Sequence, residues 1–133
     1  MSKYLAFNEV VFKDREMLLQ ALEDIGCQNV QVGTDLPMGR YFAEQREQGQ
    51  TADVIIPRHA IDNAFGDIGF VRTDAGLAPV LDEYDQPSVM GGHFVTRLRA
   101  AYNERAVQKV AARVRGTIQR AVTGNVTKIK VRF

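Results

Sequence analysis

The chain has 133 residues, 45% hydrophobic and 25% charged, with a formal net charge of +1. That balance suits one globular domain, residues 1–133, and excludes disorder along the whole length. The single cysteine, Cys27, excludes an intrachain disulfide and points to a reducing, cytoplasmic setting.

The opening "MSKYLAFNEVVFKDREM" meets Lys13 and Asp14 after a short apolar run. This is not the pattern of a secretory signal, and no segment approaches the ~20 apolar residues of a membrane span. Residues 4–12 are rich in β-branched and aromatic types and predict a strand. Asp14 then suits a helix N-cap, with Glu16 near the positive helix end. Leu18, Ala21, Leu22 and Ile25 follow helical spacing up to Gly26, where a helix should stop. "NVQVG" at 29–33 predicts the returning strand.

Residues 34–51, "TDLPMGRYFAEQREQGQT", break the periodicity. Pro37 and Gly39 predict a turn, and the Gln, Glu and Arg run predicts a long excursion with at most one short helix. "ADVIIPR" at 52–58 predicts a strand, with Pro57 marking its end or a sheet edge. "IGFVRT" and "LAPVLDEY" predict a hairpin around Asp74-Ala75-Gly76, and Pro79 again suggests an edge.

A long helix is predicted from Phe94 to Arg115, ended by Gly116. Phe94, Leu98, Ala101, Tyr102, Val107, Val110, Ala111 and Val114 approximate one apolar face, with Arg105, Lys109 and Arg113 stacked on another side. The remaining "TIQRAVTGNVTKIKVRF" predicts a hairpin on Gly124-Asn125, pairing Ile118 with Val131, Arg120 with Ile129 and Val122 with Thr127. The expected order is β-α-β-β-β-β-α-β-β. This is an α+β fold, with a mainly antiparallel sheet and two principal helices.

With these elements placed, "MSKYLAFNEVVFKDREMLLQALEDIG", "ADVIIPR", "DIGFVRTDAGLAPVLDEYD" and "FVTRLRAAYNERAVQKVA" resemble a conserved chloroplast and cyanobacterial reading-frame family, a domain of unknown function. The resemblance spans residues 3–33 and 52–133 and is carried by Asp53, Gly69, Phe70, Gly76, Asp82 and Tyr102. It departs at 34–51, and at Glu83-Tyr84-Asp85, where the family tends to place tryptophans. It implies a soluble intracellular protein, with viral copies, and it implies no activity and no catalytic residues.

Charge is unevenly distributed. Residues 1–96 carry 15 Asp and Glu against 7 Lys and Arg, whereas residues 97–133 carry 10 Lys and Arg against Glu104 alone. Opposite signs of this kind suit contact between the two parts, contact between copies, or capture of an anion. Arg97, Arg105, Lys109, Arg113, Lys128, Lys130 and Arg132 are the candidate residues for a phosphate-bearing ligand, a nucleotide or nucleic acid. No aromatics interleave the cations of residues 128–132 for base stacking.

Asp82, Glu83 and Asp85 supply the oxygen chemistry of a hard cation, so Asp82 and Asp85 are the candidate metal ligands. Alternation along a strand sends Asp82 and Glu83 to opposite faces, which favours a solvated strand end. His59, His93 and Cys27 have no local spacing for zinc, and Cys27 lies at the negative end of its helix. Gly91-Gly92 before the long helix could let amides approach an anion near Arg97. No nucleophile elbow is present and no cofactor is implied. The sequence therefore favours a non-catalytic interaction module that self-associates or binds a protein partner. Binding of a phosphate-bearing ligand is the alternative.

Overall fold

Five strands and two helices account for most of residues 4–39, 49–61 and 64–121, the residues that the computed structural model describes. They are β1 (Tyr4–Ala6), α1 (Arg15–Asp24), β2 (Gln31–Pro37), β3 (Thr51–Ile56), β4 (Ile68–Thr73), β5 (Gly76–Asp82) and α2 (Phe94–Ala121). The strands form one sheet in the order β1-β5-β4-β3-β2, with every neighbouring pair antiparallel. The fold is α+β.

Local chemistry places the first helix as expected. Asp14 is extended, and its carboxylate accepts the Met17 N–H at 3.1 Å, satisfying one of the donors a helix start leaves open. At the other end Cys27 N–H reaches Leu22 O at 2.9 Å and Gly26 N–H reaches Glu23 O at 3.0 Å. Gly26 supports this double closure at φ 92°, which a side chain would resist. The β4–β5 hairpin also turns where predicted. Thr73 pairs with Gly76 across Asp74-Ala75, and Gly76 holds φ 140° with its α-carbon packed against Val11 and the Phe12 carbonyl.

Both helices lie on one side of the sheet. Val54 opposite Phe70 and Ile56 opposite Ile68 place four apolar side chains against Leu18, Leu22 and Leu98, all fully buried. Each such side chain contributes about 1.5–3 kcal/mol by leaving water. Phe12 meets Phe70 and Tyr102 edge-on and closes this core under α2. The opposite face carries a smaller cluster of Met38, Ala52 and Ile55, with Tyr4, Leu36 and Val71 packed on it. Strict alternation breaks in β3. Asp53 bonds Arg72, whose cross-strand partner Leu77 lies on the helix side, so Asp53 and Val54 both face that way.

Four expectations are corrected. First, β2 runs on to Pro37, where an excursion was expected. A register shift between Val32 and Leu36, with Asp35 at φ 50°, lets it rejoin β3 as Leu36 opposite Ala52 and Pro37 opposite Thr51. Residues 40–48 of the excursion lie outside the described residues.

Second, Pro79 does not mark a sheet edge: it lies within β5, an internal strand. Pro57 follows the last residue of β3, the strand end that is one of its two expected places, and β3 too is internal. Pro79 O accepts the Phe7 N–H at 2.9 Å, so its missing donor also faces the β1 side. There β1 has already ended, and no ladder bond is lost.

Third, α2 passes through Gly116 and continues to Ala121. A glycine inside a helix costs only about 1 kcal/mol relative to alanine and stops the chain only if it turns left-handed. Residues 117–121 are therefore helical, and they cannot form the first arm of the expected terminal hairpin. Its remainder, with Lys128, Lys130 and Arg132, lies outside the described residues.

Fourth, the apolar residues of α2 do not share one face. Phe94, Leu98, Val95, Ala101 and Tyr102 join the core, whereas Val107, Val110, Ala111 and Val114 belong to neither described cluster.

Candidate functional site

The division of α2 follows from helical geometry. At 3.6 residues per turn, Val107 lies nine residues from Leu98 and points about 180° away from it. Arg105 and Lys109 lie within about 20° of the Leu98 direction. The helix therefore has an inner face, which includes two cations, and an outer face carrying valines.

The inner face is fastened to α1 by polar contacts as well as by the core. Arg105 makes a two-pronged ion pair with Asp24, Nε to Oδ2 at 2.7 Å and Nη2 to Oδ1 at 2.7 Å. Lys109 Nζ approaches Asp14 Oδ2 at 3.4 Å, while the other oxygen of Asp14 caps α1. Tyr102 Oη accepts the Asp14 N–H at 3.1 Å. The capping N–H and then Lys109 hold the Asp14 carboxyl below its ordinary range. Arg105 does the same for Asp24 and is itself raised by that partner. A groove of about 330 Å³ between the helices is lined by Asp14, Arg105 and Lys109 and by Glu16, Met17, Gln20 and Gln108.

The opposite charges of the sequence are thus matched in part within the chain. An anion approaching Arg105 or Lys109 has to compete with a carboxylate already in place. Arg97 is exposed in the first turn of α2, and Arg113 is exposed one turn beyond Lys109.

On the outer face, Val110 is 45% exposed, and Val107 and Val114 are half-buried. Ala100, Asn103, Val107, Val110 and Val114 follow one another at spacings of three and four, the pattern that keeps a stripe facing a partner helix. Arg99 and Glu104, both exposed, flank the stripe on opposite sides. The sequence reading merged this stripe with the inner face. The nine-residue interval from Leu98 to Val107, two and a half turns, was the signal that separates them.

The carboxylates after β5 are buried, and the expectation of a solvated strand end is corrected. Asp82 and Asp85 are both 0% exposed. Asp85 accepts the Phe65 N–H at 2.6 Å and the Gly66 N–H at 2.9 Å, and Asp82 accepts the Tyr84 N–H at 2.9 Å. The Asp85 N–H bonds back to the Asp82 carbonyl at 2.9 Å, and the Asp85 carbonyl receives Val89 N–H at 2.9 Å. Burial pushes the Asp85 carboxyl up, against the pull of its two N–H donors.

These acids tie the loop before β4 to the end of β5. Above them sits an exposed ring pair, Phe65 and Tyr84, with centroids 5.7 Å apart. Among the described residues no group of three or more His, Cys, Asp and Glu side chains could hold a metal.

A further buried acid, Asp53, lies near the α1 side of the sheet. Burial works to raise its pKa, but the Asp35 N–H at 3.1 Å and the Arg72 guanidinium outweigh this and hold it low. Asp67 organises the turn after β3 by accepting Gly39 N–H and Arg58 N–H, each at 2.7 Å.

His59 and His93 are exposed and lie on different turns. Burial pushes the Cys27 thiol up to about 11, so it is protonated at neutral pH. It lines an apolar recess of about 300 Å³ with Ile61, Ile68, Val89 and Phe94. Gly91 and Gly92, at φ 66° and 81°, shape the turn that leads into α2. No helix of the described residues is long and apolar enough to cross a membrane. Comparison of the chain with protein-family models, curated proteins and solved structures gave no match.

Proposed function

We propose that this chain is a small, non-catalytic assembly module of the cytoplasm that associates with a second copy of itself through α2. The observation that carries the reading is the placement of Val110, 45% exposed in the middle of a valine stripe that points away from the core. α2 is 28 residues long, or about 42 Å, whereas the α1 it packs against is 10 residues, or about 15 Å. The outer stripe extends along a stretch of helix that the first core does not use. Burying valines there against a second helix recovers apolar area that the isolated chain leaves in water.

Light scattering across a range of protein concentrations tests the reading. The mass is expected to rise from 14.9 kDa toward twice that value. Val110→Glu, which places a charge in the stripe, is expected to hold the chain at the lower mass. A wild-type chain that stays monomeric at every concentration and salt would remove the proposal.

A further inference from the structure

We infer that the two copies pair with their α2 helices parallel and in register, with Asn103 facing Asn103 and Arg99 of each copy facing Glu104 of the other. This inference rests on the self-association proposed above and adds orientation and register to it.

Ala100, Val107 and Val114 recur every seven residues, and Asn103 and Val110 fill the alternate positions between them. Thr117 and Ala121 continue the spacing in sequence within the same helix. β-Branched valines such as Val107 and Val114 are a residue type that two-stranded parallel pairs accept at the first of the two seam positions. The seam lies about 120–200° around the helix from Leu98. Each domain therefore sits behind its own helix, on the side away from the partner, and two side-by-side domains do not collide.

Register and direction follow from the polar residues. In a parallel pair each seam residue meets its own copy, so the one strongly polar member, Asn103, finds a side-chain amide that can both donate and accept. Arg99 and Glu104 flank opposite sides of the seam and are five residues apart. In a parallel pair a flanking residue of one helix meets the residue five further along on the other. The two-fold axis then gives two Arg99–Glu104 contacts. An antiparallel pair that aligns the same seam sets Asn103 against Val114 and Glu104 against Ala111. That arrangement buries an amide on a hydrocarbon and leaves the acid without a cation.

Disulfide trapping separates the alternatives. In a Cys27→Ser background, Asn103→Cys alone and Val114→Cys alone are each expected to cross-link to themselves on mild oxidation. A mixture of the two is expected to give no mixed dimer. Mixed dimers without self-cross-linked ones would show an antiparallel pair and overturn the inference while leaving self-association standing. A dimeric mass with no cross-link at either position would place the interface elsewhere and overturn it too. A monomeric mass would remove the underlying proposal. As a second readout, Glu104→Arg is expected to weaken association severalfold at low salt, and adding Arg99→Glu to the same chain is expected to restore it. Failure of the double variant to recover would also contradict the pairing.

Discussion

Asp24 and Arg105, 81 residues apart in sequence, face each other across the two helices with both guanidinium contacts at 2.7 Å. The pair joins the acidic and basic parts of the chain at the C-terminal turn of α1. An acid there works against the helix dipole, and Arg105 offsets it. Arg105→Ala is expected to lower the melting temperature slightly, because both side chains remain partly in water. Exchanging the charges, Asp24→Arg with Arg105→Asp, is expected to recover part of the loss. Thermal melts at low and high salt check this. An Arg105→Ala effect that does not shrink with salt would argue against an electrostatic role.

Asp85 is expected to act as a structural anchor. Asp85→Ala leaves the N–H groups of Phe65 and of the buried Gly66 without this acceptor, and a loss of about 1–3 kcal/mol is expected in urea titration. The pH dependence has a defined sign. Because burial raises this carboxyl in the folded state, the folded chain binds its proton more tightly than the unfolded one. Its contribution to stability therefore increases as pH falls through the raised value. Asp85→Asn is expected to remove that component.

Asp53 has the opposite sign. Its folded carboxyl lies below the ordinary 3.8, so its stabilisation is present above that value and lost as pH falls through the folded one. Asp14 and Asp24 add to the same acid-side loss. Arg72→Ala is expected to cost about 1–2 kcal/mol near neutral pH, a modest figure because the guanidinium is largely solvated. Acid titration of stability should show a smaller loss in this variant than in the wild type. An equal or larger acid loss would contradict the assignment.

Gly116 tests the continuation of α2. Its α-carbon has open space around it and no left-handed φ. Gly116→Ala is therefore expected to stabilise the chain by about 1 kcal/mol and to raise helical ellipticity. A helix that stopped there on a left-handed glycine would be destabilised by the same change.

Much of the fold was legible because local chemistry decided it. Asp14 as a cap, Gly26 as a stop and a hairpin around Asp74-Ala75-Gly76 are all set by short-range geometry, and each stands where the sequence places it. The errors lie where a residue type has two uses. Gly116 can end a helix or sit within one, at a cost that neighbouring turns absorb. Pro79 needs only a missing neighbour at one amide, which an interior strand supplies when β1 ends early. Asp82 and Asp85 look solvated because acids usually are. Only the folded chain shows backbone N–H donors from the loop before β4 and from the turn after β5 converging on them. The candidate cations of α2 were visible, but Asp14 and Asp24 could not be matched to Lys109 and Arg105 before the helices were packed.

The account depends on α2 having two faces, one joined to its own domain and one to another copy. Amide hydrogen exchange at several protein concentrations tests this most directly. Amides in the helix around Val107, Val110 and Val114 are expected to gain protection as concentration rises, while those around Leu98 and Tyr102 stay constant, and Val110→Glu is expected to abolish the gain. Protection of the valine segment that is independent of concentration, in the wild type and in the variant alike, would contradict it.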